Sequence, residues 1–208
     1  MKFYIVNDSV QTKEIGPDFP QIQDVRKMNS DLIIDLAMNF GQPFERELRI
    51  GVPVLKNRSI MTDFLSSSII MNTGFIVKDT LVDTLIQFSQ NSLQIFDIPI
   101  VQRENPIENY KYCHFSSIFE CCINFEQSEF KCFGENLLHK FENLDKMEEF
   151  IAGNPDFTSF YPENVSLKYC EGLELFKIHR NLKSTYCTQI FVDWYLSMNG
   201  SGLAFRLI

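Results

Sequence analysis

The sequence lacks the long apolar runs and the positive charge that mark membrane-spanning, exported or nucleic-acid-binding proteins. It contains no run of about 18 apolar residues, and Asn7 and Asp8 interrupt the apolar start too early for a signal peptide. Lys and Arg number 19 against 27 Asp and Glu, which gives a formal net charge of −8. Because such a surface repels a phosphate backbone, we expect a cytoplasmic protein that binds neither nucleic acid nor a membrane directly.

Motifs of enzyme active sites are also missing. Gly200-Ser201-Gly202 follows an apolar helical segment, whereas a phosphate-binding turn follows a strand and opens a helix, so these residues predict a helix stop. The three histidines, His114, His139 and His179, lie in no recognisable nucleophile motif. We therefore expect no catalytic activity, although catalytic groups can also be assembled from residues that are distant in sequence.

Six cysteines are present, without the spacing of a metal site or the context of a disulfide framework. Five metal-ligating side chains lie close together in sequence: Cys113, His114, Cys121, Cys122 and Cys132. Structural zinc sites pair ligands that are two to four residues apart, and the adjacent Cys121 and Cys122 would point to opposite faces of a strand. We expect reduced, packed thiols, no metal and no cofactor.

What the sequence does contain is enough apolar residues for one substantial core. Of its 208 residues, 45% are hydrophobic and 13% aromatic, so the chain needs no metal or disulfide to fold. Short apolar segments alternate with turn signals, which predicts a single α+β domain over residues 1–208 with a mixed or mostly antiparallel sheet. We expect two strand-helix-strand units and a few packed helices.

The two units are related by a repeat. Leu175–Ile178 alternates as a half-buried strand, an apolar helix spans Ile190–Met198, and a further strand follows from Leu203. At an offset of 110 residues, Val82-Asp83 aligns with Val192-Asp193 without a gap. We predict an internal repeat over about 75–100 and 185–208; the alternative is chance similarity between two amphipathic helices.

Prolines and apolar spacing predict further elements. Because proline cannot donate to a strand ladder, Pro53 in a strand over 47–55 and Pro99 in a strand over 93–101 predict sheet edges. Cys122–Phe125 and Phe130–Phe133 predict a hairpin with a polar loop. Ile33, Leu36, Ala37 and Phe40 predict a helix by their spacing.

One predicted helix carries a dense acidic face. Its apolar residues Leu144, Met147 and Ile151 share one side, which leaves Asp145, Glu148 and Glu149 to solvent. The ordinary interpretation is a solvated helix surface. The alternative is a docking surface for a basic protein, since opposite charge speeds encounter.

Several short segments carry a family resemblance. They are Met1–Ile5, Thr62–Leu65, Phe75–Asp79, Leu175–Ile178 and Gly202–Phe205. Together they resemble the bacterial polymorphic-toxin immunity proteins of the "immunity protein eleven" family. The resemblance implies a cytoplasmic α+β protein that binds and neutralises a cognate toxin without chemistry of its own.

The acidic balance agrees with a basic, nuclease-like toxin as partner, because an acidic protein can occupy the sites of phosphate. We expect Asp145, Glu148 and Glu149 to contribute to partner binding. The alternative is a small-molecule-binding or catalytic domain, with its pocket between the two strand-helix-strand units and His114 or His179 beside a carboxylate. A scaffold subunit is a third possibility, and the oligomeric state is left open.

Overall fold

The computed structural model describes residues 1–26, 41–45, 50–67, 73–132, 137–154, 160–179 and 184–208. The helix predicted from Ile33 to Phe40 lies outside these ranges. In chain order the α-helices of the described part are α1 (Thr12–Ile15), α2 (Val82–Phe88), α3 (Leu144–Gly153) and α4 (Gln189–Ser197). Short 3-10 turns cover Asp79–Leu81, Glu120–Cys122 and Phe125–Gln127.

Strands form four sheets, and among the described strands only β3 and β7 pair in parallel. The predicted α+β class with mostly antiparallel sheets is therefore confirmed. The strands are β1 (Phe3–Asp8), β2 (Ile22–Arg26), β3 (Val52–Leu55), β4 (Phe64–Leu65), β5 (Gly74–Lys78), β6 (Leu93–Asp97), β7 (Ile100–Gln102), β8 (Asn105–Ile107), β9 (Tyr110–Phe115), β10 (Glu129–Cys132), β11 (Leu138–His139), β12 (Phe160–Asn164), β13 (Leu175–Phe176), β14 (Thr185–Thr188) and β15 (Leu203–Leu207).

Two of the sheets have the same topology. The first unit is the sheet β4-β5-β9-β6 with helix α2, and the second unit is the sheet β13-β14-β1-β15 with helix α4. In each unit the helix connects two strands that do not pair with each other, because a third strand lies between them. That inserted strand is β9 in the first unit and β1, from the start of the chain, in the second.

The register of the two sheets also matches at the offset of 110 residues that the sequence predicts. Ile76 pairs with Tyr112 in the first unit, and Tyr186 pairs with Ile5 in the second. Strand β6 (Leu93–Asp97) corresponds residue for residue to β15 (Leu203–Leu207). The sequence similarity between the two helices thus extends to the strands on either side of them, while β4 and β13 correspond at an offset of 111 residues.

Alternating side chains send the two faces of each central sheet into different cores. Val77 and Cys187, on equivalent positions of the two units, belong to one shared cluster that also holds Phe191 and Leu85. The neighbouring Ile76 faces a cluster with sheet β2-β3-β7-β8. Tyr186, its equivalent, faces a cluster with sheet β11-β10-β12 and helix α3. The layers therefore follow in this order: sheet β2-β3-β7-β8, the first unit, the shared core, the second unit, and sheet β11-β10-β12 with α3.

Hydrogen bonds tie the two units together beside the shared core. The Asp63 carboxylate accepts from the Ser201 backbone N–H (2.9 Å), from the Ser201 hydroxyl (2.8 Å) and from Lys78 Nζ (2.8 Å). At the equivalent place in the second unit, the Glu174 N–H donates to the Phe88 carbonyl at 2.8 Å. Asp63 of the first unit is thus bonded to the residues that follow α4, and Glu174 of the second unit is bonded to the last residue of α2.

Residues 200–202 are the helix stop predicted from sequence. Helix α4 ends at Ser197, Asn199 takes a positive φ of 53°, and the Gly200 N–H donates to the Tyr195 carbonyl at 2.9 Å. This is the left-handed turn that commonly closes a helix. Gly202 has a φ of +100° and lies so close to the Phe64 carbonyl that an added Cβ would stand 2.0 Å from its oxygen.

The predictions from the two prolines and for the hairpin are wrong in the following respects. The strand expected over residues 93–101 is split at Ile98-Pro99 into β6 and β7, which belong to different sheets. Strand β3, which contains Pro53, is paired on both sides and is not an edge; its contact with β7 is limited to Val54, so no bond on that side needs the missing N–H. Cys122 lies in a 3-10 turn, and β10 pairs with β11 and β12, so the expected hairpin does not form.

Candidate functional site

Helix α3 presents the predicted acidic side chains to solvent. Asn143 caps the helix, since its side-chain oxygen accepts from the Lys146 N–H at 3.0 Å. Met147 is fully buried against the core of the β11-β10-β12 layer, and this contact fixes the rotation of the helix. Exposed residues of α3 therefore lie on a supported surface rather than on a loose segment.

All three carboxylates predicted as partner contacts are exposed, but their surroundings differ. Asp145, Glu148 and Glu149 all face solvent. Glu149 forms an ion pair with Lys146 at 2.7 Å, and both side chains are more than half exposed, so this pair contributes little to stability. Hydrogen bonding and charge from Glu149 raise the pKa of Lys146 above its ordinary value. The surface is thus acidic with one cation on it.

A buried imidazole lies behind this acidic surface. His179 Nε2 is 3.8 Å from a Glu148 oxygen and 3.7 Å from a Glu120 oxygen, while the His179 side chain has no exposed surface. The sequence contained no signal for this cluster because its three members are far apart along the chain. We define the α3 corner as helix α3 together with His179, the 3-10 turn Glu120–Cys122 and Cys170.

Three thiols meet in the α3 corner. Cys170 Sγ lies 2.7 Å from Cys122 Sγ and 4.0 Å from Cys121 Sγ, and the three sulfur atoms lie within 4.8 Å of one another. The expectation that Cys121 and Cys122 point apart is wrong, because they lie in a 3-10 turn and not in a strand. Cys170 was missed since it is 48 residues from Cys122.

The other members of the expected Cys and His group are elsewhere. Cys113 is buried in the core shared by the two units, and Cys132 ends strand β10. His114 is buried on β9, with its Nε2 3.1 Å from the Gln42 carbonyl oxygen and its Nδ1 3.3 Å from the Tyr112 hydroxyl. These contacts hold the His114 ring in place within the protein interior.

The space between the two units, where the alternative prediction placed a pocket, is filled with aromatic side chains. The Phe88 ring centroid lies 5.5 Å from that of Phe191 and 5.1 Å from that of Trp194. Trp194 therefore contributes packing area. Surface cavities in the described part of the protein lie elsewhere, for example one of about 560 Å³ beside Phe3 and Arg206 and one of about 740 Å³ beside Lys78. Among the described residues, neither cavity is lined by a histidine or a cysteine.

Lys177 is fully buried, although it lies in a segment that was expected to be half-buried. The segment Leu175–Ile178 is buried at every position, so it does not alternate as a half-buried strand would. Lys177 Nζ lies 5.6 Å from the centre of the Phe115 ring. Burial disfavours the ammonium form and lowers the pKa of Lys177 to about 7.

In the described part of the chain, every helix is too short or too polar to cross a bilayer.

Neither a protein-family model nor a curated protein matches the chain, so the resemblance to the immunity proteins gains no support from these comparisons.

Proposed function

We propose that this protein is a non-catalytic immunity protein that binds and neutralises a cognate bacterial toxin in the cytoplasm. The observation that carries the proposal is the exposed acidic surface of α3, formed by Asp145, Glu148 and Glu149 on a helix that is anchored by Met147. The formal net charge of −8 acts in the same direction. A basic toxin is the partner that such a surface attracts.

The anchoring of α3 supports binding as well as attraction. A helix whose rotation is fixed by a buried side chain presents its charges in one arrangement, so little conformational entropy is lost on association. Long-range attraction between opposite charges raises the association rate, and the effect falls as salt screens the charges. The α3 surface is therefore expected to determine how fast the toxin binds.

Blocking the active face of the toxin is the proposed mechanism. A nuclease toxin holds cationic side chains where it binds phosphate, and carboxylates can occupy these positions. A stable complex buries roughly 800 Å² on each partner, which requires contacts beyond α3 itself.

The proposal is tested with the protein that the neighbouring gene encodes, taken as the candidate toxin. Co-expression should restore growth of cells that make the toxin, and the purified proteins should bind at low salt. The variant Asp145→Lys/Glu148→Lys/Glu149→Lys should lower the association rate roughly 10- to 100-fold, with a smaller loss at high salt.

A matched control separates this surface from net charge. The variant Asp24→Lys/Asp83→Lys/Glu108→Lys makes the same change in net charge at three other exposed positions. It should retain most of the association rate. Equal losses in both variants would show that α3 is not the contact surface, and a toxin that fails to bind the unaltered protein at low salt would contradict the proposed function.

A further inference from the structure

The three thiols of the α3 corner are brought together by the backbone around them. Ile123 and Leu167 form an antiparallel bridge. On either side of it, the Asn124 N–H donates to the Ser166 carbonyl at 2.9 Å and the Lys168 N–H donates to the Cys122 carbonyl at 2.7 Å. These bonds hold the chain beside Cys122 against the chain that leads to Cys170.

Cys170 itself is placed by a turn. The Leu173 N–H donates to the Cys170 carbonyl at 3.1 Å, and Gly172 within the turn has a φ of 75°. Main-chain bonds thus fix both thiol-bearing segments. The closeness of the sulfur atoms follows from the fold, and it does not depend on an interaction between the thiols.

The separation of Cys122 and Cys170 favours a covalent bond. Their sulfur atoms are 2.7 Å apart, which is well inside the contact distance of about 3.5–4.0 Å for non-bonded heavy atoms. A disulfide bond is about 2.05 Å long, so a small side-chain rotation would close it. Three sulfurs around one zinc-sized ion would stand about 3.8–4.0 Å apart, and Cys122 and Cys170 would have to separate to hold one.

We propose that Cys121, Cys122 and Cys170 form a thiol–disulfide exchange site that reacts with low-molecular-weight disulfides such as glutathione disulfide. Cys121 is exposed and Cys170 is half-buried, whereas Cys122 is buried. The exposed Cys121 is therefore the thiol that meets the small disulfide. This inference goes beyond the proposed function and does not depend on it.

The reaction proceeds in three exchanges. The Cys121 thiolate attacks glutathione disulfide, which forms a mixed disulfide and releases one glutathione thiolate. Cys170 then attacks the Cys121 sulfur, which forms the Cys121–Cys170 disulfide and releases the second glutathione. Cys122 finally attacks the Cys170 sulfur, which forms the Cys122–Cys170 disulfide and returns Cys121 as a thiol. In total, two protein thiols are oxidised and one glutathione disulfide is reduced to two glutathione molecules.

The thiolate is the reacting species, so the setting of each thiol matters. Burial and the neighbouring Cys170 raise the pKa of Cys121, and burial together with the Cys170 contact raises the pKa of Cys122. The experiment is therefore best run near pH 8.5, above neutral pH. The closeness of Cys122 to Cys170 compensates for the low ionisation of Cys122 in the last intramolecular step.

The test uses the full chain, reduced and then exposed to glutathione disulfide. Intact-mass measurement should show a loss of about 2 Da for the closed form, and peptide mapping should find Cys122 joined to Cys170. Because the bond closes a long loop, the thermal midpoint should rise by roughly 10 °C. Cys170→Ser should stop at a glutathione adduct on Cys121, with no intramolecular bond.

A second variant keeps the test decisive if Cys170→Ser does not fold. Cys121→Ser retains the proposed pair, so it should still form the Cys122–Cys170 bond, but more slowly. Stable glutathione adducts without an internal bond in the unaltered protein would overturn the proposal. So would tight binding of one equivalent of Cd²⁺ or Zn²⁺ that involves all three thiols and prevents their oxidation, because the site would then be a metal site.

Discussion

The two units at the centre of the molecule are built alike but are completed differently. Each has a helix between two strands and a third strand inserted between those strands. The inserted strand β9 follows the first unit in the chain, whereas β1 precedes the second unit by most of the sequence. The pairing pattern is therefore set by which side chains fit the two faces, and the order of the strands along the chain is secondary.

The comparison extends to the residues that end the strands. In the first unit, the Lys78 ammonium donates to the Asp63 carboxylate; in the second, the Thr188 hydroxyl donates to the Glu174 carboxylate. Burial raises the pKa of Asp63, but the hydrogen bonds from Lys78 and Ser201 lower it by a larger amount. The pKa of Asp63 therefore lies below its ordinary value. The carboxylate at this position therefore accepts a hydrogen bond from the end of the neighbouring strand in both units, although the donor is a lysine in one and a threonine in the other.

The units differ most in what covers their outer faces. Sheet β2-β3-β7-β8 covers the first unit. The second unit is covered by sheet β11-β10-β12 and α3, and His179 and the three thiols lie beside α3. The residues with distinctive chemistry therefore lie on one of two otherwise similar scaffolds. Scaffold and site can vary separately in such an arrangement, as is usual for functional sites carried on common folds.

The largest predicted effect comes from removing the inserted strand of the second unit. Deletion of residues 1–9 removes β1, which pairs with β14 on one side and β15 on the other. The loss should exceed the whole stability of the domain, roughly 5–15 kcal/mol, so the truncated chain should be unfolded. Circular dichroism and urea titration would measure this.

A circular permutant gives the matched control. The Ile208 N–H donates to the Phe3 carbonyl at 3.1 Å, so a short Gly/Ser linker can join Ile208 to Met1 while the chain is opened after the exposed Val10. This permutant gives the second unit the strand order of the first. It should fold with a loss of no more than about 2 kcal/mol. An unfolded permutant, or a folded truncated chain, would contradict the account of the two units.

A smaller effect is predicted at Gly202. Gly202→Ala should lower the free energy of unfolding by about 3–5 kcal/mol, because the φ of +100° strains any side chain and the new Cβ meets the Phe64 carbonyl. The equivalent position in the first unit is Ser92, which already carries a Cβ. Ser92→Gly should therefore lose only about 0.5–1 kcal/mol.

The control for Gly202 is a glycine with free space around it. A Cβ at Gly153, the last residue of α3, would meet nothing within 4 Å. Gly153→Ala should be neutral or stabilising by up to about 1 kcal/mol, since alanine favours a helix. Urea midpoints of the three variants, with unchanged slopes, would rank them; similar losses at Gly202 and Gly153 would refute the close-approach argument.

Local patterns in the sequence predicted the helices that the structure shows as α2, α3 and α4, whereas α1 was not predicted. The spacing of Leu81, Leu85 and Phe88 and its copy 110 residues later identify two similar helices, and the structure places matching strands around them. The insertion of β1 and β9 could not be predicted, because it depends on contacts between distant segments. Pro99 predicts a sheet edge, and β6 is the last strand of its sheet, but the strand also ends before the proline.

The acidic surface could be predicted from the sequence, whereas the thiol cluster could not. Asp145, Glu148 and Glu149 were found as an exposed face because helical spacing with Met147 is a local signal. Cys170 and Glu120 have no such signal, since they meet Cys121 and His179 only after the chain folds. Sequence therefore predicts the surface that one helix presents, and the structure adds the residues that other segments bring to it.

The smallest predicted effect lies where the inserted strands carry different residues at one position. Leu93 pairs with Phe115 in the first unit, and Leu203 pairs with Asp8 in the second. Burial raises the pKa of Asp8 to about 6 from its ordinary value of 3.8. The second unit therefore holds a carboxylate where the first holds a fully buried ring.

This difference predicts a pH-dependent gain from Asp8→Asn. A raised pKa in the folded state favours folding below pH 3.8, and this contribution is lost as pH rises through about 6. At pH 8 the variant should thus be more stable than the unaltered protein by about 1–2 kcal/mol, allowing for partial exposure of Asp8, and at pH 4 the two should differ little. Urea titrations at both pH values would measure this difference in stability.

Asp24→Asn, which removes an exposed carboxylate, should change stability by less than about 0.5 kcal/mol at either pH. An equal gain from Asp8→Asn at both values would mean that the charge of Asp8 is not the cause, and that the two units differ at this position only in shape.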